Sequence, residues 1–259
     1  MKLITAFFMA WGNFLTIPCP LKKWDNDLKN NMLAFLPSIG AVVGGLWVLL
    51  IWIIRLIGNH TELPVQIPVS LGAIIAVYFL FACCGFMHLD GFMDCTDAIM
   101  SRRPLEVRQK ILKDSNVGAF AVVMVAFLLL TWYAAMSSVL ENGSLAALFL
   151  IPVVSRGTAA LAVMAYKPIG HSQYKEDYEK PKGRLRGASI AQLGGYFAVA
   201  LILAATDTVV LSVAYLATAF GAAIAGWYAR RQLGGMSGDI AGYMICWGEL
   251  IGIIALAVL

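Results

Sequence analysis

The chain has 259 residues, of which 60% are hydrophobic and 13% charged, with 19 Lys and Arg against 15 Asp and Glu. Soluble domains carry about 25% charged residues, so this composition excludes an ordinary soluble protein, and a formal net charge of +4 gives no ground for a nucleic-acid partner. The expected fold is all-α, a polytopic integral membrane helical bundle, because apolar runs of about 20 residues suit helices whereas barrel strands would be about 10 residues long and alternating.

In chain order, residues 3–17 read as a short interfacial or re-entrant helix, interrupted by Asn13 and ended by Pro18-Cys19-Pro20. That run lacks a small-residue cleavage site, so no cleaved signal peptide is expected. Seven spans follow, at about 33–57, 64–87, 117–139, 144–166, 189–206, 208–229 and 240–259, with a range of six to eight. With no internal repeat and no linker, residues 1–259 read as one membrane domain with loops at 88–116, 167–188 and 230–239. The basic residues alternate between loops. They fall at Lys2, Lys22, Lys23 and Lys29, at Arg102, Arg103, Arg108, Lys110 and Lys113, at Lys167, Lys175, Lys180, Lys182, Arg184 and Arg186, and at Arg230 and Arg231. Positive loops mark the cytoplasmic side. This predicts a multi-pass protein with its polar motifs on the cytoplasmic face. Arg55 is the exception to the alternation. The five cysteines show no CxxC spacing and read as reduced thiols used as small hydrophobes.

The densest carboxylate cluster is "FMHLDGFMDCTDA" at 86–98. On a helix, Asp90, Asp94 and Asp97 fall within about 60° of one another at 100° per residue. Three like charges on one face call for a cation, and hard oxygen ligands suit Mg²⁺ or Mn²⁺. His88 lies about 200° from Asp90 on the same helix, on a different wall, where it reads as a general base, a phosphate contact or an interfacial imidazole. The stretch "SRRPLEVRQKIL" (101–112) reads as a short helix with Pro104 in its first turn. In "KDSNVGAF" (113–120), Ser115 or Asn116 is the expected N-cap of the next span. The last span is preceded by "GGMSGD" (234–239). Two helix N-termini with glycine-rich turns offer backbone N–H groups to phosphate. Asp239 reads as a fourth metal ligand or as a helix cap. Arg156 and Glu249 each lie about 15 Å deep at 1.5 Å per residue, where an ionised group must be paired or functional, and the two are expected to meet.

Taken together, the chain resembles the cobalamin synthase family of membrane ribazoletransferases. The resemblance rests on "FLTIPCP" (14–20), "FMHLDGFMDCTDA" (86–98), "KDSNVGAF" (113–120), "SRGTAAL" (155–161) and "LGGMSGDIAGYMICWGEL" (233–250), in that order. The N-terminal block departs from the more usual FLTRLPVP, and Ser237 stands where Thr is common. The resemblance implies a Mg²⁺-dependent transfer from adenosylcobinamide-GDP to α-ribazole or α-ribazole 5′-phosphate, giving adenosylcobalamin or its 5′-phosphate and GMP. It also implies a bacterial or archaeal plasma (inner) membrane, with membrane lipids and other cobalamin-assembly enzymes as the expected neighbours. On that chemistry Asp90, Asp94 and Asp97 hold the metal, and His88 or one of these aspartates takes the hydroxyl proton. Lys113, Asp114, Ser115, Arg156, Gly235, Ser237, Gly238, Asp239 and Glu249 are the expected substrate and phosphate contacts. The alternatives are another Mg²⁺-dependent membrane phosphotransferase, acting on a CDP-alcohol or similar diphosphate, and a divalent-cation or corrinoid transporter. Asp90-Gly91 is not followed by the Ala-Arg of CDP-alcohol enzymes, and a transporter is expected to place carboxylates at the midplane in paired repeats.

Overall fold

A computed structural model describes residues 2–59, 67–170, 172, 182–204 and 207–259. Among them there is no β-strand, only an isolated parallel bridge between Pro168 and Met236. The helices are α1 (Lys2–Phe14), α2 (Lys29–Ala34), α3 (Leu36–Asn59), α4 (Val69–Ala82), α5 (Met87–Met100), α6 (Leu105–Ile111), α7 (Ala119–Val139), α8 (Leu145–Ala165), α9 (Gly183–Leu203), α10 (Thr208–Leu233) and α11 (Gly238–Ala257). Six of these (α3 and α7 to α11) are long and apolar enough to cross a membrane, and α4 with α5 makes a seventh only as a pair bent by 85°. The protein is a polytopic helical membrane bundle. At 13 residues, α1 is about 20 Å long at 1.5 Å per residue and too short to span.

Helix α8 is the centre of the bundle, with 83% of its apolar window buried, against 17% for the peripheral α9. It packs on α3, α9, α10 and α11. Hydrocarbon gives no hydrophobic drive between helices, so close backbone approach does that work. The α3–α8 contact uses "GAVVG" (40–44). A Cβ on Gly40 would run into the Pro152 carbonyl, and one on Gly44 would stand 3.3 Å from the Phe149 carbonyl carbon. The α10–α11 contact does the same with Gly248, whose Cβ would lie 2.8 Å from that of Ala222. Trp47 of α3 donates to the Ala76 carbonyl of α4 at 2.9 Å and stacks edge-on against Trp132 of α7.

Three boundaries differ from the sequence reading. The expected span 64–87 stops at Ala82, and its first residues, 64–66, lie outside the described residues. Gly85 (φ 58°) and Phe86 (φ 60°) both adopt left-handed backbone, and the chain turns into α5. The expected loop 88–116 is therefore mostly the helices α5 and α6. The expected loop 230–239 shrinks to the turn 234–237, because α10 continues to Leu233. Its Arg230 and Arg231 remain helical by laying their guanidinium groups over the rings of Tyr166 at 4.1 Å and Trp227 at 4.6 Å. Helix α9 likewise starts at Gly183 rather than 189. Within the expected loop 167–188, residues 171 and 173–181, including Lys175 and Lys180, lie outside the described residues, as do 205 and 206 of the expected fifth span.

Arg55 has a specific task away from the carboxylates. Its guanidinium donates to the carbonyls of Leu140 (2.5 Å), Gly143 (2.7 Å) and Val139 (3.2 Å). It satisfies the free C-terminal carbonyls of α7 and meets the negative end of that helix dipole.

Candidate active site

The site is built on α5, which packs against both α11 and α7. Two glycines set the α5–α11 approach. A Cβ on Gly91 would sit 2.8 Å from the Asp239 carbonyl oxygen, and one on Gly242 would sit 3.0 Å from the His88 carbonyl oxygen. At the α7 end, a Cβ on Gly118 would land on the carboxylate of Asp97. One face of α5 thus brings Asp94 and Asp97 to the first turns of two other helices. Asp94 and Asp97 are half-buried and Asp90 is exposed. The His88 backbone faces α11, its carbonyl accepting from Cys246 Sγ at 3.2 Å.

The start of α11 is capped by Ser237, whose hydroxyl accepts from the Ile240 N–H at 3.3 Å and donates to Asp239 Oδ2 at 3.2 Å. Asp239 stands in the first turn, where a carboxylate is favoured by the helix dipole. The start of α7 differs from expectation. Its N-cap is Gly118, with no side-chain bond, rather than Ser115 or Asn116. Asn116 is instead engaged upstream: its backbone N–H and side-chain amide donate to Asp114 Oδ1 at 3.0 and 2.7 Å, forming a local turn that competes with capping. These bonds hold the Asp114 carboxyl below its usual range. The exposed segment Lys113–Asp114–Ser115 leads into that uncapped helix end. Gly235 packs under the Ile169 backbone, with a would-be Cβ 2.8 Å from its nitrogen, and Gly238 opens α11.

Arg156 and Glu249 meet as expected, Nη1 to Oε1 at 2.5 Å, with side chains only 2% exposed. Ser155 donates to the same Glu249 oxygen at 3.0 Å, and Arg156 also donates to the Pro152 carbonyl at 3.2 Å. Arg156 Nη2 reaches Cys84 Sγ at 3.4 Å. This buried pair lies beneath the α4–α5 break. From the other side, Thr16 donates its hydroxyl to the carbonyls of Ala82 (3.0 Å) and Cys83 (3.2 Å), and its backbone N–H to Cys83 at 2.9 Å. Nothing in the residue pattern singles out Thr16, Cys84, Gly91, Gly118 or Gly242. Their importance lies in backbone proximity, which no single residue type announces. All five cysteines are free.

Among the described residues no three His, Cys, Asp or Glu side chains converge into a closed cage. None of Asp90, Asp94 and Asp97 makes an ion pair with a basic side chain there, where the Arg156–Glu249 pair is the salt bridge found. Mg²⁺ keeps several waters and takes one or two carboxylates plus substrate phosphate oxygens, so it would not require such a cage, and Asp90, Asp94 and Asp97 are the residues that would hold it.

The family model described as cobalamin-5-phosphate synthase matches residues 6–257. A protein of Clostridium perfringens strain 13, named adenosylcobinamide-GDP ribazoletransferase, is 33% identical over 255 residues, covering 98% of both chains. Proteins of the same name from Clostridium botulinum strain Alaska E43 and Lachnoclostridium phytofermentans are each 30% identical, covering 98% and 100% of this chain and 97% and 95% of theirs. No solved structure matches. With a match that runs from α1 to the end of α11 and takes in every element of the carboxylate site, the chain belongs to the cobalamin-5-phosphate synthase family.

Proposed function

We propose that this chain is an adenosylcobinamide-GDP ribazoletransferase. The ribose hydroxyl oxygen of α-ribazole, or of its 5′-phosphate, attacks the phosphorus next to the cobinamide. A new P–O bond forms there, the P–O bond to GMP breaks, and the hydroxyl proton passes to a site carboxylate. Adenosylcobalamin, or its 5′-phosphate, and GMP leave. The observation that carries this reading is the aspartate helix α5 lying against the N-terminal turns of α7 and α11. Phosphoryl transfer needs little covalent help from protein; it needs fixed charge and position.

Asp90, Asp94 and Asp97 are the residues proposed to hold Mg²⁺, with Mn²⁺ as substitute, which when bound neutralises charge on the diphosphate oxygens. The free N–H groups at the start of α7 point toward the same region and suit a phosphate oxygen. Lys113 is the exposed cation nearest that helix start in sequence. His88 or one of the half-buried aspartates Asp94 and Asp97 is the proposed proton acceptor. Arg156 and Glu249 spend their charge on each other, so we assign them to positioning the α4–α5 break rather than to phosphate contact. The alternation of basic residues between loops supports a cytoplasmic position for this face, where a substrate made by soluble enzymes can reach it, and the proposed membrane is the plasma membrane.

The test uses purified protein in liposomes with adenosylcobinamide-GDP and α-ribazole 5′-phosphate, following GMP and cobalamin product by chromatography. Equimolar products are expected with Mg²⁺ and none with EDTA or with Asp94→Ala. Well-folded wild-type protein that forms no cobalamin product refutes the reading.

A further inference from the structure

Beside the carboxylate helix lies a cavity of about 830 Å³ that the sequence reading did not assign. Binding pockets for small molecules run to about 300–1,000 Å³. The cavity is formed where the end of α5, the start of α6, the start of α7 and the end of α10 meet, and Arg102, Arg103, Arg108, Phe120, Tyr228 and Gln232 are among its lining residues. Arg102 and Arg103 are exposed, and among the described residues neither side chain has a hydrogen bond or ion pair. Arg108 is held by Gln232 through Nη1 at 2.5 Å, while its Nε is buried without a partner. Arg102 adopts φ 51°, a left-handed conformation that a residue with a side chain seldom takes and that clusters at functional sites. Ile99 at the end of α5 and Phe120 in the first turn of α7 line the cavity, and Asp97 of the same helix meets Gly118 at the start of that turn, so the cavity adjoins the proposed transfer site.

We infer that this arginine cavity binds the nucleotide arm of the donor, its guanidinium groups on phosphate oxygens and the Phe120 and Tyr228 rings against the base. Planar guanidinium forks match phosphate geometry, and base–aromatic stacking is tolerant of base identity. The nucleotide's identity rests on the proposed reaction; the anion site itself does not. A phosphate group here has two sources, a nucleotide or an anionic lipid headgroup, and the experiment separates them.

Binding of GMP to the full chain is measured calorimetrically in nanodiscs of neutral lipid, without divalent metal, for wild type, Arg102→Gln and Arg103→Gln. Each variant is expected to weaken GMP about tenfold, the loss of one charge-assisted hydrogen bond, with an unchanged Tm. Tyr228→Leu is expected to weaken GMP while leaving inorganic phosphate unaffected. Unchanged GMP affinity in both arginine variants overturns the inference. So does arginine-dependent retention of phosphatidylglycerol without arginine-dependent GMP binding. In the transfer assay the same variants are expected to raise the donor KM about tenfold while largely keeping kcat. Wild type that makes cobalamin with a donor KM indifferent to both arginines leaves the proposed reaction standing and removes this site. Wild type that binds GMP through the arginines but makes no cobalamin does the reverse.

Discussion

At the scale of single residues, the site depends on a missing side chain as much as on those present. Gly118 leaves the space that the Asp97 carboxylate fills. Gly118→Ala is expected to cut turnover at least about tenfold by displacing that carboxylate, while the exchange of an N-cap glycine for alanine costs the helix only about 1 kcal/mol. Steady-state kinetics beside a thermal melt separates the two effects. The Arg156–Glu249 pair predicts a different pattern. Glu249→Gln leaves a buried guanidinium uncompensated and is expected to destabilise by about 3–5 kcal/mol. The double variant Arg156→Met with Glu249→Met is expected to recover much of that in denaturation in detergent. Equal destabilisation in the single and double variants would mean that the charges were not coupled. The aspartates and this pair were both legible in the sequence, because helical periodicity and depth counting act on residue types that are expensive in a bilayer. Gly118, Gly91 and Gly242 were not, because a glycine's role there is set by which backbone passes it.

Among the elements, the α4–α5 break decides where the aspartates point. Hydropathy gave no sign of it. Cys83, Cys84, Gly85 and Phe86 extend the apolar run without interruption, so one span was expected where the chain turns by 85°. Gly85 was the available signal, and a lone glycine in an apolar run more often marks close packing. Thr16 braces the break by donating its hydroxyl to the carbonyls of Ala82 and Cys83, which also accept from the backbone N–H groups of Gly85 at 3.0 Å and Thr16 at 2.9 Å. Thr16→Val is expected to cost about 0.5–1.5 kcal/mol for the lost hydroxyl bonds and to speed amide exchange over residues 83–88. Thr16→Ser is expected to be near neutral. Hydrogen exchange by mass spectrometry reads both; unchanged protection in Thr16→Val would show that the break is held elsewhere. The FLTIPCP block thus acquires a structural purpose that its sequence did not disclose.

For the whole molecule, spans were readable because about 20 consecutive apolar residues have few alternatives. Their termini were less so, since Arg230 and Arg231 remain helical over aromatic rings where a loop was expected. The open donor set makes a prediction about the entire bundle. A structural metal would be expected to carry folding energy, whereas a site with no cage of three side chains should not. EDTA is therefore expected to abolish turnover while moving the Tm by less than about 2 °C, less than a 1 kcal/mol change would produce in a domain of this size. A large drop in Tm would point to a metal that holds the helices together.

The buried ion pair also bears on how the chain is made. Arg156 is synthesised well before Glu249, so α8 must enter the bilayer with its arginine unmatched, at a cost of about 2.5–3.5 kcal/mol on insertion scales. Until α11 is translated, the partner with which Arg156 pairs in the finished bundle is missing. Biogenesis is thereby tied to completion. A chain stalled before α11 keeps an unneutralised guanidinium in its central helix and also lacks Ser237 and Asp239. The same late helix that settles the arginine finishes the aspartate site, so retention of α8 in the membrane and assembly of the site become one event.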